Sequence, residues 1–498
     1  MNTPLLQALV VMLCLVSTAT DAGGAEAEAL SETARGDETL AELAELDAAW
    51  EAAAEPLQRR AEAIGDGRLA HAIEQWSVPV SPPRDGRQVL VRIPSAVPHA
   101  DWLQKGTPQQ QAVWEDYLAA RRRWADRVFA TAREAARREQ GCEAFRLLAV
   151  VLAADPDHEQ GREAGGWVRR SEEGRTAWLW PEAARRASRR EAFSAEFGWL
   201  PKSWQARYTA GERRLGSRWV SREDLPPPQA VAEAPVWQSD HWRLTSLATE
   251  AEAAALAAQL ETAHDVWWQV FGAYALERGE LQRRFDGQSR SRPRNAMNVV
   301  QFASRQQYVE ILEPLEPQIG RTLGIYWTPT QVAYFFQSED FHPTTVLHEA
   351  THQLFAESRR TSRLAGEENG FWAIEAAACY VESLEANALG WTLGGLEHGR
   401  VPAAVERLTQ DGFYVPLATL CSLGRVDFQT HPELPPLYSQ ISGLADFFMN
   451  GQQGRYREAF VEYLERVYTG TATRETLSRL CDVGYADLDE QYRRHLAR

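Results

Sequence analysis

Apolar positions in the first part of the chain recur with the period of an α-helix. Residues 26–76 are rich in Ala, Glu and Leu, and the large apolar residues fall on one helical stripe: Leu40, Leu43, Leu46, Trp50 and Leu57. A short β-like run at 89–93 precedes a second long helix, whose apolar face would comprise Val113, Tyr117, Trp124 and Val128. Thr107 and Pro108 are its expected N-cap and first-turn residues. The pattern predicts an N-terminal helical region over residues 23–140.

The pattern changes after residue 140. Residues 142–168 join an apolar helix, a DPDH turn and a second helical start, which resembles half of a tetratricopeptide-like helical hairpin. Five tryptophans then lie among Gly, Arg and Glu: Trp178, Trp180, Trp199, Trp204 and Trp219. Such a stretch is either a structural module held by aromatic packing, which we favour, or a binding surface of aromatic rings and Arg. We therefore expect a helical-hairpin and Trp-rich module over 141–225, then a Pro-rich linker over 226–236.

From residue 237 onward helical and strand patterns alternate. We predict strands at 242–247 and 298–303, and a hairpin of 324–326 with 331–337 around Pro329 that has Val332, Tyr334 and Phe336 on one face. A long amphipathic helix is expected over 250–271, and everything beyond Pro343 is expected to be helical, including 371–387, 438–450 and 456–467. A small sheet followed by helices is an α+β arrangement, so the predicted fold class is α+β and mainly α-helical.

Composition and charge narrow the classes of function. The chain of 498 residues is 44% hydrophobic and 24% charged, which is ordinary for a globular protein and excludes wholesale disorder or a fibrous repeat. Its formal net charge of −16 disfavours nonspecific binding to nucleic acid or to an anionic membrane. We therefore expect no nucleic-acid partner.

The N-terminus has the pattern of a signal peptide. An apolar run from Leu5 to Val16 is followed by small residues, with Thr20 and Ala22 positioned as at a cleavage site, although no Lys or Arg precedes the run. An uncleaved membrane anchor is the alternative, but the run is shorter than the roughly 20 residues that span a bilayer. We expect residues 1–22 to be a signal peptide, the protein to be exported to the periplasm or the exterior, and no stable membrane insertion after cleavage.

Four cysteines lie beyond the predicted signal peptide: Cys142, Cys379, Cys421 and Cys481. One disulfide would suit an exported protein, and the sequence cannot choose among the pairings. The wide, irregular spacing slightly favours free buried thiols.

Candidate chemistry concentrates in the segment PTTVLHEATHQLF, where His348, Glu349 and His352 form an HExxH motif. Because the two histidines are four residues apart, a helix places both imidazoles on one face, as a tetrahedral zinc site requires of neighbouring ligands. Glu349 would project beside them without being a ligand, where it can act as the general base toward a zinc-bound water. Two histidines on an ordinary solvated or core helix are the alternative. The segment predicts a zinc site.

A catalytic zinc site needs a third protein ligand. Glu375 is the best candidate because it lies in the apolar helical run FWAIEAAACYVESL, where a buried carboxylate is costly unless a cation pairs with it. If Glu375 instead faces solvent, Glu382 or Glu385 would replace it. His398 and His342 are weaker substitutes, and we expect His342 to lie in the turn that begins the HExxH helix.

A helical HExxH motif with a later Glu ligand, preceded by a strand hairpin, resembles the gluzincin class of zinc metallopeptidases. More narrowly, residues 237–498 resemble a peptidase-MA-like family, a bacterial domain of unknown function thought to contain proteases. That family carries its third ligand in a WxxEG motif, which residues 372–376 match except that Ala376 replaces Gly. It places an acidic residue one turn later, where this chain has Cys379. The Trp-rich stretch also resembles segments that precede such domains.

The resemblance implies a gluzincin-like metallopeptidase domain over 237–498, with zinc held by His348, His352 and Glu375. It also implies two further features. An edge strand holds the substrate in gluzincins, and the run 334–337 could be that strand, although an ordinary buried strand is nearly as well supported. Tyr438 falls where related sequences carry a Tyr that could stabilise the oxyanion, although core packing is the favoured role.

Three functions remain after this reasoning, and one of them, a purely helical interaction protein without metal, requires the HExxH match to be accidental. The first is an exported zinc peptidase that acts on peptides or proteins. The alternative is a metal-binding scaffold with weak or no activity, in which the N-terminal helical region contacts a protein partner. Ala376 and Cys379 are the residues that favour the alternative.

Overall fold

A computed structural model describes residues 21–76, 79–81, 86–95, 106–172, 175–225, 228, 230–338 and 342–498. The apolar run of the predicted signal peptide lies outside these ranges. The α-helices are α1 (Asp21–Ala63), α2 (Gly67–Gln75), α3 (Pro108–Arg137), α4 (Gly141–Ala154), α5 (Glu159–Gly165), α6 (Pro181–Ser188), α7 (Lys202–Thr209), α8 (Glu250–Phe271), α9 (Glu280–Phe285), α10 (Arg305–Leu312), α11 (Pro343–Glu357), α12 (Phe371–Val381), α13 (Val401–Thr409), α14 (Leu417–Leu420), α15 (Arg425–Gln429), α16 (Leu434–Asn450), α17 (Arg457–Tyr468), α18 (Thr476–Cys481) and α19 (Tyr485–Leu496). The β-strands are β1 (Gln88–Val91), β2 (Val168–Glu172), β3 (Arg175–Leu179), β4 (Glu191–Ser194), β5 (Gly198–Pro201), β6 (Glu212–Leu215), β7 (Arg218–Ser221), β8 (Val236–Gln238), β9 (Trp242–Ser246), β10 (Met297–Phe302), β11 (Ile325–Trp327), β12 (Val332–Phe336), β13 (Glu385–Ala386) and β14 (Gly390–Leu393).

The chain divides into two compact units, of which the first comprises residues 1–81 and 108–120. Its described part consists of α1, α2 and the beginning of α3. Of the predicted apolar stripe, all but the half-buried Leu40 are buried, and the Trp50 ring packs edge-on against Trp76 with ring centres 4.6 Å apart. The helical prediction for this region is confirmed.

The second unit comprises residues 82–107 and 121–498. Helices α4 and α5 form the predicted helical hairpin, and almost all of α4 is buried. In the Trp-rich stretch, the strands β2–β3, β4–β5 and β6–β7 pair as successive antiparallel hairpins that the sequence analysis did not predict. Trp204 and Trp219 pack edge to face, with ring centres 5.5 Å apart, and Arg207 lies over Trp219. These contacts fit the interpretation of the Trp-rich stretch as a structural module held by aromatic packing.

The linker predicted at 226–236 lies partly outside the described residues. Its last residue, Val236, begins β8.

Within the described residues, the second unit contains a five-stranded sheet with the strand order β11-β12-β10-β9-β8. Strands β12, β10 and β9 are parallel, and β11 and β8 pair antiparallel at the two edges. The predicted strands and the hairpin around Pro329 are confirmed. Residues Val332, Tyr334 and Phe336 share the predicted face against α10, whereas Ala333 and Phe335 belong to the main core.

The prediction that the run 334–337 is an edge strand is wrong. The hairpin turns β11 back along β12, so β12 lies inside the sheet between β11 and β10, and β11 takes the edge. The alternative given for this run, an ordinary buried strand, is correct.

Helices α8 and α11 pack on each other against this sheet. Helix α8 begins with a capping box, in which Thr249 and Glu252 each bond the other's backbone N–H. Trp242 of β9 donates its indole N–H to Gln353 of α11 at 3.1 Å, deep in the core. This bond fixes the HExxH helix relative to the sheet.

The region beyond Pro343 is mostly helical, but the prediction of helix throughout is wrong at 385–393. Helix α12 ends at Val381, and the hairpin of β13 and β14 pairs with β1 in a second sheet. The Asn387 side chain accepts hydrogen bonds from the backbone N–H groups of Leu389 and Gly390, which stabilises the turn. Gly390 permits the close pairing with β1, because a Cβ there would lie 2.6 Å from the Arg92 nitrogen.

The described chain is a mixed α and β structure, mainly helical with small sheets, and it is consistent with the predicted α+β class. Cys142, Cys379, Cys421 and Cys481 are buried and free. Across the described ranges we find no helix that is both long and apolar enough to span a bilayer.

Candidate metal centre

Helix α11 carries the HExxH motif on one of its faces. His342 is the N-cap, since its side chain accepts a hydrogen bond from the Thr344 N–H, and Pro343 occupies the first turn, so the position expected for His342 is confirmed. The apolar positions of the helix, including Val346, Ala350 and Leu354, are buried in the main core. His348, Glu349 and His352 lie on the other side of the helix, where they are half-buried.

The two histidines of the motif direct equivalent nitrogens toward each other. Nε2 of His348 and Nε2 of His352 are 3.1 Å apart. Their rings are nearly perpendicular, at 85°, with centres 4.7 Å apart. The spacing of four residues has produced the side-by-side arrangement that the sequence analysis predicted.

Glu375 of α12 completes the cluster. Its Oε2 lies 3.5 Å from Nε2 of His348, and its Oε1 lies 3.7 Å from Nε2 of His352. Every residue of α12 is buried, so Glu375 does not face solvent as the alternative supposed. The carboxylate is held among apolar side chains with two imidazoles before it.

These distances suit a bound cation. Ligand atoms at 2.0 to 2.1 Å from a tetrahedral zinc are separated from one another by about 3.3 Å. The three separations, 3.1, 3.5 and 3.7 Å, bracket that value. The donor set of His348, His352 and Glu375 could therefore hold a metal ion.

Glu382 lies on the opposite side of the His348 ring from this cluster. Its Oε1 is 2.7 Å from Nδ1 of His348, and Arg400 holds the same carboxylate through two hydrogen bonds of 2.7 and 2.9 Å. A carboxylate that bonds the far nitrogen of a ligating histidine fixes the ring's orientation and raises its basicity. The family that the sequence resembles has an acidic residue at position 379, where this chain has Cys379. Glu382, three residues later, supplies a carboxylate to His348 instead.

The other substitute ligands are not brought into the cluster. His398 bonds to Glu385 at 2.8 Å, and Glu385 also pairs with Arg87. Neither belongs to the set of donors around Nε2 of His348.

Two further residues contact the cluster directly. The backbone N–H of Tyr326, in edge strand β11, donates to Oε2 of Glu349 at 2.7 Å. The hydroxyl of Tyr438, on α16, donates to Oε2 of Glu375 at 2.9 Å, and its ring packs edge-on against Phe428. Tyr438 thus packs against the core and also contacts the candidate metal ligand.

The sequence analysis missed Tyr326 and Arg400. The Tyr326 contact is made by its backbone, and Arg400 follows Glu382 by 18 residues. No local pattern in the sequence marks either contact.

The electrostatics of the cluster follow from its burial. Burial lowers the pKa of His352 to about 4, which favours the neutral imidazole that can bind a metal. Burial alone would raise the pKa of Glu375, but the neighbouring His352 and His348 and the Tyr438 hydroxyl outweigh it and lower the pKa to about 2. Burial raises the pKa of Glu349 above its ordinary value.

A second group of possible metal donors, His241, Glu261 and His264, has a different geometry. The imidazoles of His241 and His264 are stacked, with ring centres 3.5 Å apart and planes at 15°. Because an imidazole nitrogen binds a metal in the plane of its ring, two stacked rings cannot both point at one ion. Nδ1 of His241 instead pairs with Glu261 at 2.6 Å. We regard this group as a stacked ion pair.

A third possible group, His348 with Cys379 and Glu382, shares His348 with the first. It lies at Nδ1, where Glu382 is already bonded. The first group is therefore the candidate metal centre.

No family model, no curated protein and no solved structure matches this chain.

Proposed function

We propose that this chain is a zinc-dependent metallohydrolase and that its substrates are peptides or proteins. The observation that carries the proposal is the convergence of two imidazole nitrogens and one buried carboxylate, with the Glu349 carboxylate beside them. Two histidines and a glutamate are a common ligand set of catalytic zinc. The resemblance of residues 237–498 to gluzincins supports a peptidase with a zincin-like arrangement of this region, and the N-terminal pattern supports export.

In this proposal His348, His352 and Glu375 hold the ion. When bound, zinc would supply a Lewis acid that lowers the pKa of a coordinated water toward about 7 and polarises the substrate carbonyl. Glu382 orients His348 through Nδ1, and Tyr438 orients Glu375 through its hydroxyl. Two of the three ligand side chains, His348 and Glu375, are thus fixed before substrate arrives.

Glu349 is the proposed general base. The Tyr326 N–H holds its Oε2, and among the described residues no hydrogen bond engages its Oε1. Oε1 is therefore the oxygen positioned to accept a proton and to pass it to the leaving amine. Tyr438 is the proposed donor to the oxyanion, for which its hydroxyl would turn from Glu375, its acceptor in this structure, to the substrate.

The test combines metal analysis with digestion of a proteome-derived peptide library. Wild type should contain about one zinc per chain by inductively coupled plasma mass spectrometry, and the His348→Ala/His352→Ala variant should contain none. Glu349→Gln should retain zinc and lose cleavage. His398→Ala is the matched control, since within the described residues the His398 side chain hydrogen-bonds to Glu385, outside the cluster, and to no other side chain, so its loss should change neither readout.

A folded wild type that takes up no zinc when zinc is offered would refute the metallohydrolase. Cleavage by Glu349→Gln at the wild-type rate would show that Glu349 is not the base.

A metal-binding scaffold with weak or no activity is the second candidate, with a protein partner at the N-terminal helical region. Ala376 and Cys379, which depart from the family pattern, favour it. The bond between Glu382 and His348 counts against it, because it supplies the interaction expected of the residue at position 379. One zinc per chain without any zinc-dependent cleavage of the library would support the scaffold.

A further inference from the structure

The parallel imidazoles of His241 and His264, the histidine stack, support a tryptophan of the Trp-rich stretch. The Trp180 ring packs edge-on against both of them, with ring centres 5.1 Å from His241 and 5.2 Å from His264. Trp180 directly follows β3 and is the N-cap of α6. The histidine stack is therefore the surface on which this end of the β2–β3 hairpin packs.

The histidine stack is stable because only one of its rings is charged. The Glu261 carboxylate accepts from the His241 backbone N–H at 2.9 Å and pairs with Nδ1 of the same residue at 2.6 Å. The His264 ring lies parallel to that of His241, with centres 3.5 Å apart and planes at 15°. Burial and the neighbouring His241 charge lower the pKa of His264 below its ordinary 6.5. At neutral pH, His241 is thus the imidazolium and His264 is neutral.

Two further carboxylates face the stack, Asp240 and Glu182, and both act on His241. Burial would lower the pKa of His241, but Glu261 and these two carboxylates outweigh it and raise the pKa to about 9. Each of the two already accepts a hydrogen bond of 2.6 Å, one from an indole N–H and the other from a backbone N–H. Within the described residues, neither hydrogen-bonds to His264. They therefore favour the proton on His241.

A second proton on the stack would have a different partner within reach. Nδ1 of His264 is buried and has no hydrogen bond among the described residues. The Asp265 carboxylate lies 3.9 Å away and is 54% exposed. That distance is too long for a hydrogen bond, but a turn of the His264 ring toward Asp265 would form a charge-assisted one. The turn would also end the parallel contact, since two imidazolium rings repel each other at 3.5 Å.

The surroundings leave room for this movement. Trp180, His241 and His264 all line one cavity of about 1220 Å³. The Trp180 ring also stacks on Trp167, with centres 4.1 Å apart, so it has a second contact surface. If the two imidazoles separate, the stack opens into this cavity, and Trp180 loses one of its two main contacts.

We propose that the histidine stack is an acid-sensitive latch for this end of the β2–β3 hairpin. At neutral pH, Trp180 packs on the closed stack. When His264 also takes up a proton, its ring turns to Asp265, the stack opens and Trp180 is released from it. The latch shares no residue with the candidate metal centre, so it does not depend on the proposed zinc chemistry.

The test is fluorine nuclear magnetic resonance of the full chain labelled with fluorotryptophan. The chain has 18 tryptophans, and a Trp180→Phe variant identifies the Trp180 resonance by its absence. Between about pH 8 and about pH 4.5 this resonance should shift with the profile of a single proton, with a midpoint below about pH 6.5. Resonances of tryptophans that do not contact the stack should stay in place.

Two variants separate the latch from other effects of acid. His264→Phe keeps an aromatic ring in the stack but cannot take up a proton, so the shift of the Trp180 resonance should be lost. Asp265→Asn removes the charge that receives His264 and should lower the midpoint by about 0.5 pH unit or more. Because Asp265 is exposed, this variant should fold even if His264→Phe does not. His398→Ala, which removes a histidine outside the stack, is the matched control and should titrate as wild type does.

Three results would overturn the proposal. The first is a Trp180 resonance that does not shift before the whole protein unfolds. The second is a shift that persists in His264→Phe or a midpoint that Asp265→Asn leaves unchanged. The third is simultaneous movement of all tryptophan resonances, which would indicate global unfolding by acid and not a local latch. Zinc content should equal that of wild type in each variant, so failure here is distinct from failure of the metal centre.

Discussion

Replacing Glu382 by Gln should weaken zinc binding without removing a ligand. The carboxylate lies 2.7 Å from Nδ1 of His348 and is 9% exposed, so the bond between them is poorly screened by solvent. Gln keeps an acceptor oxygen at the same position but removes the negative charge that makes Nε2 more basic. Loss of such a partner typically lowers metal affinity by about 10- to 100-fold, or about 1.4 to 2.7 kcal/mol.

Most of this effect should arise at His348 and not at Arg400. The Arg400 side chain is 46% exposed and can exchange its bonds to Glu382 for water, whereas His348 is 14% exposed. The loss of the Arg400 pair should therefore cost little. The structural cost falls on the orientation and basicity of the candidate metal ligand.

The assay is the zinc dissociation constant, measured by competition with a chromophoric chelator. Glu385→Gln is the control, because Glu385 makes comparable bonds to His398 and Arg87 but is 52% exposed and bonds no candidate ligand. It should bind zinc within about twofold of wild type. A Glu382→Gln variant that binds zinc as tightly as wild type would refute the reasoning, since the His348 bond would then contribute nothing to affinity.

Two further predictions test neighbouring features. Tyr438→Phe keeps the ring that packs against Phe428 and removes the hydroxyl bonded to Glu375. If that hydroxyl stabilises the oxyanion, kcat measured with zinc at saturation should fall by about 10²- to 10³-fold, whereas an unaltered kcat would leave only the packing role and the bond to Glu375. Burial would lower the pKa of His241, but Glu261, with help from Asp240 and Glu182, outweighs it and raises the pKa from 6.5 to about 9. The protonated His241 therefore stabilises the fold fully below about pH 6.5, and this stabilisation is lost as the pH rises through about 9. It amounts to at most about 3 kcal/mol for His241 and Glu261 together. The free energy of unfolding, measured with urea at about pH 6 and about pH 10, should fall with pH in wild type and much less in Glu261→Gln. An equal fall in the two proteins would contradict the assignment.

The parts of the fold that the sequence predicted correctly are those set by local periodicity. The long helices, the strands predicted at 242–247 and 298–303 and the hairpin around Pro329 each bury an apolar face that recurs within a few residues. The HExxH site belongs to this class, because a spacing of four residues on a helix fixes the relation of His348 to His352 without help from the rest of the chain. Glu375 could be predicted because a lone carboxylate in an otherwise apolar helix needs a partner.

The parts that were missed depend on distant pairing or on weak strand patterns. The β13–β14 hairpin is stabilised by β1, and the ion pair of Arg87 with Glu385 joins positions 298 residues apart. The hairpins of the Trp-rich module use short strands with several charged residues, such as β6, whose sequence is ERRL. Such strands have little apolar alternation, so periodicity does not detect them.

A comparison of the two histidine clusters shows why ring orientation matters as much as donor identity. Both clusters contain two histidines and one glutamate within reach of one another. In the first, both histidines come from one helix, and the shared backbone geometry turns their rings to 85° and brings their Nε2 atoms to 3.1 Å. In the second, His241 precedes β9 and His264 lies on α8, and packing beneath Trp180 leaves the rings stacked at 15°. The first arrangement directs two lone pairs at one point, whereas the second holds a charged imidazole against a neutral one. A cation is therefore expected at His348 and His352, and a proton at His241.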